Sequence, residues 1–122
     1  MKLTALLFAV LAVGSWTAIP GGTWQPTNPT ISEIRAHLKE YVQEKATEQQ
    51  KSLPAWSRYS FQFQGQEKEG HRFVFINAYC IAPPKYAKKT FVLVDDGGPC
   101  FFNIKYDPAS RGFFELEFNG EA

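Results

Sequence analysis

Apolar residues recur at helical spacing along one early stretch of the chain. Ile31, Ile34, Leu38, Tyr41, Val42 and Ala46, with the stem of Lys45, make one stripe, and Glu33, Arg35, Lys39, Glu40, Gln43 and Glu44 fill the rest. Steps of three and four put such residues on a single helix face. Thr30-Ile31-Ser32-Glu33 fits a capping box, in which hydroxyl and carboxylate each satisfy a free backbone N–H. The pattern predicts a helix from Ile31 to about Gln50, ending before Leu53-Pro54.

After Pro54 the period changes to two. Tyr59, Phe61 and Phe63 alternate with Ser60, Gln62 and Gln64, as in a strand with one wet face. Gln66 to Gly70 reads as a turn. Phe73 to Ile81 is apolar apart from Asn77, which predicts a central strand buried on both faces. Ala82-Pro83-Pro84 breaks it. Thr90 to Val94 reads as another strand, and Asp95-Asp96-Gly97-Gly98-Pro99 as a turn. Cys100 to Tyr106 is the next strand, with Phe102, Ile104 and Tyr106 on one face. In the last, Phe113 to Phe118, the residues Phe114, Leu116 and Phe118 alternate with Phe113, Glu115 and Glu117. One helix followed by about five short antiparallel strands predicts an α+β domain over residues 30–122, with the helix across one sheet face. No strand–helix alternation and no glycine-rich phosphate loop occurs, which excludes the cofactor-binding α/β folds; no cofactor is expected.

The N-terminus follows another logic. Lys2 precedes an apolar run from Leu3 to Val13, and Gly14-Ser15-Trp16-Thr17-Ala18 follows. A positive start, about 11 apolar residues and then small ones describe a secretory signal peptide. It is expected to span residues 1–15, with cleavage after Ala18 as an alternative that Trp16 disfavours. The run is short of the roughly 20 residues that a membrane span needs. Residues 16–29, with three prolines, two glycines and Trp24 between Ile19 and Pro29, read as an extended arm.

Charge and composition narrow the partners. Lys+Arg is 13 and Asp+Glu 12, so loss of Lys2 with the leader leaves 12 against 12. A neutral exported domain has no general pull on nucleic acid or, once the leader is gone, on a membrane. Two cysteines are too few for a zinc finger or a multiply bridged scaffold. An oxidising compartment favours a Cys80–Cys100 bridge. A simple meander opposes it: strands 73–80, 90–94 and 100–106 running up, down and up put the two sulfurs more than about 20 Å apart. A bridge needs Cα atoms within about 7 Å. Either the strand order is not a meander, or the cysteines do not pair within the chain.

The same meander gathers His71, Asp95, Asp96 and Cys100 at one end of the sheet, the parts of a thiol nucleophile with its base and orienting acid. An exposed turn with a structural cysteine accounts for the same residues. His37 and His71 lack ligand spacing, and no metal is expected. Lys85, Lys88 and Lys89 beside Tyr86 form a basic loop, ordinary on a solvated connection but able to meet an anionic polymer. The acids Asp107, Glu115, Glu117 and Glu121 are solvated or pair with such a loop on a neighbouring molecule. Trp24 and Trp56 either hold a partner or pack back over the core edge.

The segment order is a Gly-Gly arm, an amphipathic helix, a strand, a polar turn, a long strand, a loop, a strand and a glycine-rich turn. It resembles the cystatins, secreted inhibitors of papain-like cysteine proteases, over roughly Gly21 to Tyr106. In that family three segments form a wedge. Here Gly21-Gly22 matches the first, and Gln62-Phe63-Gln64-Gly65-Gln66 stands where the second turn belongs, with Gly65 one residue early and no Val. Gly97-Gly98-Pro99 stands at the third, without the family's Trp. The chain also has an extra C-terminal strand and no clear strand before the helix. A second resemblance is to small uncharacterised exported bacterial proteins. It is carried by Phe75-Ile76-Asn77-Ala78-Tyr79-Cys80, Asp96-Gly97-Gly98-Pro99-Cys100-Phe101-Phe102, Tyr106-Asp107 and Asn119-Gly120-Glu121-Ala122, and it implies no activity.

These readings converge on an exported, non-catalytic binding protein of the cell envelope or extracellular space whose partner is another protein. The cystatin resemblance implies protease inhibition through Gly21, Gly22, Gln62, Gly65, Gly97, Gly98 and Pro99. The competing classes are a thiol enzyme using Cys100 and His71 and a structural envelope subunit.

Overall fold

The computed structural model describes residues 14–121; the expected leader lies outside them except for Gly14 and Ser15. Five strands form one sheet in the order β1-β2-β3-β4-β5, crossed by one helix. The strands are β1 (Trp16–Ala18), β2 (Ser60–Lys68), β3 (His71–Tyr79), β4 (Phe101–Asp107) and β5 (Gly112–Phe118), and the helix is α1 (Asn28–Glu48). The α+β class is as expected. The sheet is mixed, because β1 pairs parallel with β2 while the other pairs are antiparallel.

α1 starts earlier than the capping box implies. Its N-cap is Thr27, whose hydroxyl accepts from Thr30 N. Pro29 falls in the first turn, where a missing N–H leaves no helical bond unmade. The helix ends in a Schellman turn: Gln50 takes φ 57°, its N–H donates to Thr47 O, and Lys51 N–H donates to Ala46 O. Ile34, Leu38, Val42 and Ala46 are buried from this helix. Ile34, Leu38 and Val42 meet Phe61, Val74, Ile76, Ala78, Phe102, Ile104 and Tyr106 from the sheet. Alternation along β3 and β4 places these sheet residues on one face, and the register agrees: Ile76 stands between Phe63 and Ile104, and Ala78 between Phe61 and Phe102.

Three expectations change. Thr90 to Val94 is not a strand; β3 pairs directly with β4, from Val74↔Tyr106 to Tyr79↔Phe101. The fifth strand is β1, inside the supposed tether, where three residues flanked by Pro and Gly carry no readable period. The rest of the arm also docks on β2: Ile19 N–H donates to Phe63 O (2.9 Å) and Thr23 N–H to Gly65 O (3.0 Å). The Trp24 indole N–H donates to Gln66 O (2.9 Å) and Phe73 O (3.2 Å). The third change is in β5. Glu115 adopts φ 52°, and the register slips between Asn103 and Lys105, whose partners are Glu117 and Phe114. The bulge reverses the alternation. Phe113, Leu116 and Phe118 pack on the helix-side core, while Phe114 meets Phe73.

Gly65 carries the docking of the arm. A Cβ there would stand 2.2 Å from Trp24 O, a distance that forces the arm to move. Gly65→Ala is expected to cost about 1–3 kcal/mol, read by urea denaturation. A red-shifted tryptophan emission should accompany it as the Trp24 indole leaves its two carbonyls.

Candidate functional site

The second face of the sheet carries Gln62, Asn77, Phe75, Tyr79 and Phe101, because these alternate with the core-facing residues. The alternation of β2 marks this face as wet. It is instead covered by residues 81–99, which leave the sheet after β3 and return at β4. We call this segment the strap.

Its two ends are joined. Cys80 and Cys100 form a disulfide with Cα atoms 5.1 Å apart. They are the positions just beyond the Tyr79↔Phe101 pair, so antiparallel pairing of β3 with β4 brings them together. The assumption that fails is the extra strand at Thr90–Val94 between the two cysteine-bearing strands. Closing a loop of 20 residues contributes on the order of 3 kcal/mol in the chain-entropy model.

The middle of the strap is held by two side-chain amides. Gln62 and Asn77 are cross-strand partners, only 0% and 4% exposed. Gln62 Nε2 donates to Ala87 O (2.7 Å) and Thr90 O (2.9 Å). Its Oε1 accepts from Val92 N–H (2.9 Å) and from Asn77 Nδ2 (3.0 Å). Asn77 Nδ2 also donates to Val92 O at 2.8 Å. An irregular segment over a sheet leaves backbone groups with no ladder partner. Here a carboxamide, which both donates and accepts, takes the ladder's place. Ala87 and Val92 fill the space beneath, against Tyr79 and Phe101, and Phe91 meets Phe75 edge-on at 5.2 Å.

The return of the strap is fixed as firmly. Asn119 Nδ2 donates to Val94 O (2.8 Å) and Asp96 O (2.7 Å), and Gly98 N–H to Gly120 O (3.0 Å). The Tyr59 hydroxyl donates to Pro99 O. Burial pushes the Tyr59 phenol well above its ordinary pKa, and burial likewise leads the upward shifts of Tyr79 and Tyr106.

While its underside is tied down, the outer side of the strap leaves large apolar side chains in the open among charged ones. Among the described residues the exposed large hydrophobics are Ile81 (45%), Tyr86 (46%), Leu93 (67%) and Val94 (40%), all four on this segment. Lys85, Lys88 and Lys89 stand exposed beside them.

The residues expected to form a wedge do not converge. Gln62–Gln66 lies within β2 rather than in a turn; the turn is at Glu69-Gly70, one hairpin end further on. Gly21 and Gly22 lie against Gln64 and Gly65 on the outer side of β2. Gly97, Gly98 and Pro99 sit at the other end, by Tyr59 and Gly120, about 20 Å of strand from Gly65. The Cys100–His71 pairing also fails. Cys100 is oxidised, and His71 opens β3 at the end opposite Tyr79, about 25 Å away along the strand. Asp95 and Asp96 lie with the strap, not with His71. Among the described residues no group of three or more His, Cys, Asp or Glu side chains is placed to hold a metal. Trp24 and Trp56 pack back over the core, Trp56 against Tyr59, Phe61 and Phe102. The strap escaped the sequence pattern; its readable trace was Asn77, one amide inside an apolar strand.

No protein-family model, curated protein or solved structure matches the chain. The resemblance to the cystatins therefore rests on segment order.

Gln62→Ala removes four hydrogen bonds at once and strands buried backbone groups of the strap. A loss of about 2–4 kcal/mol is expected, with Val92 N–H losing its protection in hydrogen exchange. Raising the pH tests the phenols. A pKa raised on folding gives stability that is complete below the unfolded phenol value of 10.0 and falls as pH rises past it. The melting temperature is therefore expected to drop above pH 10, and less steeply in Tyr59→Phe.

Proposed function

We propose that this is an exported, non-catalytic binding protein that holds a protein partner on the outer face of the strap. The carrying observation is the exposure of Ile81, Tyr86, Leu93 and Val94 on one segment whose underside is bonded to the sheet. Apolar side chains gathered in the open mark interaction surfaces. Fixing them before binding lowers the entropic cost of association. The lysines at 85, 88 and 89 suit a partner with an apolar centre and an acidic rim. This reading keeps the binding role and moves the contact face away from the separated Gly21–Gly22, Gln62–Gln66 and Gly97–Pro99 segments.

Export is supported by the leader pattern and by the disulfide, which suggests an oxidising environment. No helix of the described residues is long and apolar enough to cross a membrane. Cleavage after Ser15 keeps β1 whole. Cleavage after Ala18 deletes it, together with the Trp16 ring that stacks on Phe61 at 4.4 Å. The exported protein is expected to begin at Trp16, as read by N-terminal sequencing.

A photo-crosslinking residue at Leu93 tests the binding face, with one at His37 on the helix as control. The expected result is a discrete adduct from position 93 alone, lost on Val94→Asp with no change in melting temperature. Equal crosslinking from both positions, or survival of the adduct in Val94→Asp, overturns the reading. An adduct of twice the chain mass identifies the partner as a second copy and overturns the proposal of a different, acid-rimmed protein.

A further inference from the structure

The helix sorts its charges to two flanks. Glu33, His37, Glu40 and Glu44 face the β5 side, where Glu33 Oε1 also pairs with Arg111 at 3.1 Å. Arg35 and Lys39 face the β1 side, into an open groove that Trp16 and Trp56 also line. It lies on the helix side of the sheet, away from the strap, and owes nothing to the strap's proposed role.

Three features of this groove point to an anion. The Arg35 guanidinium carbon stands 5.6 Å from the centre of the Trp16 ring, and that ring is itself stacked on Phe61. The cation is thus seated on a surface fixed by the sheet, with its N–H fork free to meet a carboxylate or phosphate. Lys39 follows four residues later, one turn along the same flank, so two like charges repel. Among the described residues neither cation has a carboxylate at ion-pair distance, although five such pairs form elsewhere. Trp16 and Trp56 are half-buried and give the groove an apolar wall.

We propose that this groove binds a small organic anion, a single carboxylate or phosphate group on an apolar body. The head pairs with Arg35 and Lys39, and the body lies along the indoles of Trp16 and Trp56. A bound head offsets the repulsion between the two cations, so charge and shape select the same ligand.

The test uses tryptophan emission of the purified protein, since two of the chain's three tryptophans line the groove. Octyl phosphate and octanoate, below their aggregation limits, are expected to give a saturable shift. Inorganic phosphate alone and the neutral octyl glucoside should bind at least about tenfold more weakly, each lacking one half of the recognition. Arg35→Gln and Lys39→Gln should each weaken octyl phosphate about tenfold with an unchanged melting temperature, while Glu40→Gln on the other flank leaves it unaltered. Binding of octyl glucoside as tight as octyl phosphate, indifference to both substitutions, or a shift that never saturates would overturn the proposal. Vesicles of anionic phospholipid identify the source of the head. Arg35-dependent binding to them assigns a lipid, and binding of the soluble anions alone assigns a free metabolite-sized ligand.

Discussion

A pair of buried carboxamides decides how this sheet is covered. Gln62 and Asn77 sit opposite one another on adjacent strands, at the centre of the face turned away from the helix. A polar pair in that position is costly unless every donor and acceptor finds a partner. Helices and strands have already spent their backbone groups internally. An irregular segment has not, and the carbonyls of Ala87, Thr90 and Val92 are what the amides meet. The need is mutual: the strap cannot bury Ala87 and Val92 without leaving backbone groups dry, and the amides cannot be buried without the strap. Once that exchange is made, the disulfide, the Tyr59 hydroxyl and Asn119 only have to hold the ends.

The two faces of the sheet are thus built on different principles. One is closed by apolar side chains packing between α1 and β2–β4, a non-directional contact that tolerates exchange of similar volumes. The other is closed by directional bonds of fixed length, with a covalent link at its rim. The first supplies most of the buried apolar area. The second fixes one short segment in one conformation, and the surface side chains of that segment inherit the rigidity.

Where a segment's environment follows from its own period, the sequence was readable. The stripe of Ile34, Leu38 and Val42, the double burial of β3, and the shared face of Phe102, Ile104 and Tyr106 all came from spacing. What failed depended on partners distant in the chain. Gln62 looks identical to a solvated glutamine until a segment 25 residues later covers it. Thr90–Val94 has strand-like composition, but its hydrogen bonds go to side chains. β1 is too short to show a period, and the close approach of Trp24 further along the arm depends on Gly65 having no side chain. In β5 a single left-handed residue, Glu115, reverses which phenylalanine faces inward. The candidate surface is half legible: the lysines and Tyr86 stand out, while Leu93 and Val94 carry a strand's pattern. Chemistry favours the bond between Cys80 and Cys100, and the supposed strand at Thr90–Val94, which does not form, is all that opposes it.

Among the described residues the sheet ends abruptly on both sides. At one margin β1 offers three residues; at the other, β5 is kinked at Glu115, whose carboxylate is drawn to Lys105 at 2.6 Å. A short margin and a bent, charged one are poor templates for adding a further strand from another molecule. Growth into stacked fibrils by strand addition is thereby discouraged.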